Sequence, residues 1–246
     1  MTRKNRHRQT PLPAAHPAEP DSETAAAVTT AKELDRIIFF SDAVFAIAIT
    51  LLVLELKAPV VADAAADREL PGKLLDMFPK YFSFVFSFWM IAFYWTLHHR
   101  ICRHLVRYTS LFVGLNFLML MGIVLLPFSM GVFGDYFNHK LPAILYFGNA
   151  IFCGLFLWLL WRYASHGRRL LPADFPQRHI AMLGWLALLM PAVNLVSIGA
   201  TLLADPSMGM NCGVLFGVLL PLLKRQYPEY YSFESKSSGS RGAPAR

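Results

Sequence analysis

The feature that most constrains this chain is a succession of six long apolar stretches lying between two polar ends. They are Ile37–Leu54, Tyr81–Leu97, Tyr108–Phe133, Leu141–Trp161, Ile180–Ala204 and Pro206–Leu223. A hydrocarbon core about 30 Å thick takes roughly 20 helical residues to cross, so these runs have the length of membrane spans. In lipid only helices and closed barrels pair every backbone donor and acceptor, and a barrel needs short alternating strands that are absent here. The expected fold class is all-α: a polytopic membrane protein with six transmembrane helices and no re-entrant pore loop. The last two runs are parted only by Ala204-Asp205-Pro206, which fits a tight hairpin at one membrane face.

Composition removes the competing classes. Hydrophobic residues make up 55% of the chain and charged ones 16%, too few charges for the surface of a cytosolic enzyme. Cys102, Cys153 and Cys212 stand far apart with no CxxC, and read as small apolar fillers. The chain divides into a disordered basic N-terminal tail, 1–33, a membrane domain, 34–223, and a disordered C-terminal tail, 224–246. The cluster Arg3, Lys4, Arg6, Arg8 has no apolar h-region behind it, so the first segment is not read as a secretory signal.

The net charge of +7 is spread along the chain in a telling way. Lys57, Arg68, Lys73, Lys80 and Lys140 fall on one set of alternating connections, and most of the 23 Lys and Arg fall on the other. The positive-inside rule then places both termini on the cytoplasmic side of the membrane. Cations at alternating helix ends do not form the single basic face that nucleic acid requires.

The first span carries the chemistry. Asp42 lies about 9 Å beyond Arg36, inside the apolar run, where a carboxylate is costly unless paired or wet. On a helical wheel Ala43, Ile47, Thr50 and Leu54 form one stripe, with Asp42 roughly 110° from its centre. The second span ends in His98-His99-Arg100 at the same depth, and the third carries Asn116 about 12 Å in from Tyr108. Ser41, Asp42, His98, His99 and Asn116 can therefore share one layer. Such a layer serves as an inter-helix polar clamp, as a proton- or ion-sensing site, or as a metal or catalytic site. His98 and His99 project about 100° apart, poor geometry for one metal, and no HExxH spacing occurs. No resident metal, cofactor or enzyme activity is expected. For Ile47 and Leu54 the plain alternative is helix packing, and for Thr50 a hydroxyl bonded back to its own helix.

The run Arg36-xxx-Phe40-Ser41-Asp42, followed by Ala-Val-Phe-Ala-Ile-Ala-Ile-Thr-Leu-Leu, resembles the signature first helix of the endolysosomal and prokaryotic potassium channels, the transmembrane protein 175 family. Phe88-Trp89 through Tyr94-Trp95 to His98-His99-Arg100 is similar to that family's second helix. Asn116-Phe-Leu with Leu125-Leu126-Pro127-Phe128 and Gly134-Asp135-Tyr136 fits its third. The resemblance implies a potassium-permeable cation channel without a carbonyl filter, and no TVGYG-like sequence occurs here. With one copy of the Phe-Ser-Asp motif it implies a homotetramer, its pore lined by the first helix. Matched to the family, Ile47 forms the narrowest ring, Thr50 a hydroxyl ring one turn further out, and Leu54 lies beyond. Arg36, Ser41, Asp42, His98, His99 and Asn116 form the inter-helix polar network. The expected partners are potassium ions, passing transiently, the lipid bilayer and three further copies of the chain. The alternative is a proton- or cation-coupled secondary transporter using Asp42 and His98. Glu55 and Lys57 are read as a solvated pair at the outer end, the alternative being that they tune the extracellular mouth, and the tryptophans, mostly near helix ends, as interfacial anchors.

Overall fold

The structure, a computed structural model, describes residues 22–209 together with 211 and 212. The helices are α1 (Ser22–Leu51, continued by a tighter turn, Leu52–Glu55), α2 (Ala66–Asp76) and α3 (Phe78–Cys102), then α4 (Ser110–Asp135), α5 (Lys140–Ser165) and α6 (Gln177–Leu203). Lys32–Glu55, Ser110–Asp135, Lys140–Arg168 and Gln177–Leu203 are long and apolar enough to cross a membrane. At 25 residues α3 has the same length, but Ser83, Ser87, Tyr94 and His98 make it less apolar. The C-terminal segment 224–246 and most of the sixth run lie outside the described residues.

Two features differ from the sequence reading. First, α1 begins at Ser22, inside the stretch read as a tail. Ala25, Ala26 and Ala27 form helix readily without an apolar face, so hydropathy alone missed them. Second, α2 stands between the first two spans. None of its residues is buried, and Lys73 Nζ ties it to the carbonyl of Val60 at 2.6 Å.

Polar contacts fix an up-and-down order. At one end Val106 N donates to Leu170 O and Arg107 Nε to Arg169 O, at 3.0 and 2.8 Å. At the other end Lys80 pairs with Asp135, and Lys140 Nζ reaches Leu202 O at 2.9 Å. The first is the arginine-rich end, carrying Arg103, Arg107, Arg162, Arg168 and Arg178. Here α5 terminates through Gly167 at φ 57°, a left-handed position that favours glycine, and Leu170 N closes on Ala164 O at 3.1 Å.

Packing is tightest among α4, α5 and α6. A Cβ on Gly154 of α5 would sit 2.6 Å from Cδ of Pro191 on α6, so glycine is what lets the two helices meet. Buried polar groups are tied across helices: Tyr94 OH donates to Ala150 O at 2.6 Å, and Ser87 and Tyr146 share a 2.7 Å bond. Trp161 is buried, its indole donating to Ile180 O at 2.9 Å, and so is no interfacial anchor. Cys102 and Cys153 are free and buried, and Cys212 is free and half-buried.

Candidate functional site

α1 has two unlike sides. Ser41, Phe45, Ala48 and Leu52 recur at helical spacing and are buried against α3 and α4. Ala43, Ile47, Thr50 and Leu54 run along the opposite side and are exposed, Ile47 by 59% and Leu54 by 66%. The α-helix ends at Leu51, so Leu54 sits in the tighter turn that follows it. Thr50 Oγ1 donates back to Ile47 O at 2.8 Å. That bond uses the hydroxyl's one proton and leaves the oxygen lone pairs free for an acceptor role.

On the covered side a chain of hydrogen bonds crosses three helices. Ser41 Oγ donates to Ile37 O and accepts from Asn116 Nδ2, both at 2.9 Å. Asn116 Oδ1 faces His98 Nε2 at 2.9 Å, which makes that nitrogen the donor. The His98 ring lies 5.6 Å from Phe45, and Cys102 Sγ packs against it, 3.6 Å from Nε2. In this chain the donors run one way, from α3 through α4 to α1.

Asp42 stands outside that chain. Its Oδ1 accepts from the indole of Trp95 at 2.9 Å, and Trp95 stacks on His99 with ring centroids 5.5 Å apart. His99 Nδ1 is buried with no hydrogen-bond partner among the described residues. Arg36 is exposed. The single layer expected from depth is thus two: Ser41, Asn116 and His98 in one, Asp42, Trp95 and His99 in the other. Trp95 is the participant the sequence reading put elsewhere. A wheel of α3 offered the signal, since residues 95 and 99 lie about 40° apart while 98 and 99 differ by about 100°. Glu55 does not meet Lys57 in an ion pair. Its carboxylate packs against Gly131 of α4, in space that a Cβ would occupy.

A potassium channel of Chamaesiphon minutus is 36% identical over 155 residues, which cover 60% of this chain and 73% of that one. This chain belongs to the TMEM175 family. The match to that family, described as the endosomal/lysosomal potassium channel TMEM175, spans residues 36–127. Within this TMEM175 chain those residues run from Arg36 of α1 to Pro127 of α4 and contain both polar layers. A potassium channel of Streptomyces collinus is 36% identical over 107 residues, 44% of this chain and 50% of that one. The crystal structure of a lysosomal potassium-selective channel TMEM175 homologue from Chamaesiphon minutus superposes with a TM-score of 0.67 at 28% identity. It covers 78% of this chain and 97% of that one, so the fold is shared over the whole relative. TMEM175 is a family of membrane channels and not of enzymes.

Proposed function

We propose that this protein is a potassium-permeable cation channel of the cell membrane, a homotetramer of six-span subunits whose α1 helices line the pore. The observation that carries this reading is the open side of α1. An apolar span packed on one side by its own subunit leaves Ala43, Ile47, Thr50 and Leu54 uncovered, and a central pore gives that stripe a place. Four Ile47 side chains then form a hydrophobic constriction that gates by dewetting. Thr50 supports the ion chemistry. With its proton given to Ile47 O, each hydroxyl turns only lone pairs outward, and four such oxygens replace part of a cation's hydration shell. The two polar layers hold the half of α1 nearest the arginine-rich end on α3 and α4. Both termini lie in the cytoplasm in this reading, which the placement of Lys and Arg supports. The carrier reading has less support, because Asp42 and His98 bond to different partners and share no site.

Currents through purified protein in planar bilayers, under mixed potassium and sodium, test this. Unitary currents far above transporter turnover are expected. Ile47→Asn should wet the constriction and raise sodium permeation, and Thr50→Ala should move the reversal potential toward non-selectivity. Unchanged reversal potentials in both variants mean that α1 does not line the pore.

A further inference from the structure

A groove of about 240 Å³ runs down the outer side of the α5–α6 pair at the arginine-rich end. Trp158, Trp161 and Arg162 line it from α5, and Ile180, Trp185 and Leu188 from α6. Gly184 has no side chain, so the Trp161 ring, held by its bond to Ile180 O, becomes the floor; a Cβ on Gly184 would touch that ring at 3.7 Å. Trp185 forms an open wall, 65% exposed.

Chemistry changes along the groove. Its body is aromatic and aliphatic over about 12 Å of α6, from Ile180 to Leu188. Its mouth is cationic: Arg162 is exposed one turn beyond Trp158, and its Nη1 lies 3.4 Å from His166 Nδ1. No carboxylate lines the groove. A cation above an apolar slot, at membrane depth, has the layout of one phospholipid: phosphate at the guanidinium, acyl chain along the tryptophans. A zwitterionic headgroup also carries an ammonium, which finds no carboxylate among the lining residues. A free phosphate makes no use of the slot.

We propose that this groove is a binding site for an anionic phospholipid, with Arg162 holding the phosphate and the Trp158–Trp185 slot holding a chain. The test is fluorescence quenching of the full-length protein in bilayers containing brominated phosphatidylglycerol or brominated phosphatidylcholine at equal mole fraction. The part due to Trp185 is isolated by comparison with Trp185→Phe. Phosphatidylglycerol should quench that part with about fivefold higher apparent affinity, the effect of one cation near the headgroup. Arg162→Gln should bring the ratio to about one, and Gly184→Leu should weaken quenching by both lipids, since it fills the slot. Added inorganic phosphate should leave the preference intact. The proposal is overturned if the two lipids quench equally in the unaltered protein, or if Arg162→Gln keeps the preference. It is also overturned if neither lipid quenches Trp185, the result of another subunit covering the groove. The wild-type comparison decides even if a variant fails to fold.

Discussion

α1 and α5 are both long apolar helices, and they are covered very differently. α1 is the most apolar of the four candidate spans, yet 22% of its span is buried, against 44% for α5. α5 lies between α4 and α6, and its Ala150, Cys153, Gly154 and Leu157 are all deep in the subunit. α1 has a single buried strip facing α3 and α4, flanked by the half-buried Ile38, Val44 and Ile49, and its opposite side is open. Apolarity therefore does not distinguish surface destined for the subunit core from surface left for something outside it. In α5 the apolar side chains hold the subunit together. In α1 they also present a face.

The widest separation should come from two truncations. Phe147→Ala on α5 removes a fully buried ring and should cost about 3–5 kcal/mol. Ile47→Ala on the open stripe should stay within about 0.5 kcal/mol. Thermal unfolding of the two purified variants measures the difference. A large loss for Ile47→Ala would mean that a neighbouring helix packs on the stripe, and the contrast between α1 and α5 would collapse.

The covered side of α1 offers a finer comparison. Asn116→Leu leaves the His98 N–H and the Ser41 oxygen without their partners, at about 1–3 kcal/mol for each buried group left unpaired. Asp42→Asn keeps an acceptor for an exposed indole and should cost clearly less. Melting temperatures of the two variants rank the layers. The reverse order would make the Asp42–Trp95 layer the principal tie of α1.

The smallest effect belongs to the loop between α3 and α4. His104 lies between α3 and α4, its ring 4.8 Å from Phe175 in the α5–α6 connection. Burial, then the nearby charges of Arg103 and His179, push its pKa down from 6.5 to about 4. A depressed folded-state value means that the unfolded chain takes up the proton first. Stability from this group is thus present above about pH 6.5 and is lost as pH falls toward 4. The melting temperature of His104→Phe should fall less steeply over that window than that of the unaltered protein. Parallel curves would remove His104 from the acid response.

Much of this was legible in the residues. Runs of about 20 apolar residues and the side on which cations collect are local sums, which need no knowledge of neighbours. So is the division of α1 into two sides, because the 100° step of a helix is the same in any surroundings. Arg36-xxx-Phe-Ser-Asp with the histidine pair and Asn116 carried the family, and the matched residues 36–127 contain all of them.

What one helix cannot contain is the rotation of its neighbour. Depth put Asp42 level with His98, His99 and Asn116, and only the rotation of α3 about its axis decided that the Trp95 indole reaches the carboxylate while His98 turns to Asn116. The same holds where backbones touch. Glu55 lies on α4 because Gly131 happens to be opposite, and α5 meets Pro191 because Gly154 has no Cβ. These contacts join residues many turns apart in the chain, and their fit depends on a few tenths of an ångström between two helices. Periodicity fixes which side of a helix is apolar; the packing of three helices decides which partner each polar group on that side can reach.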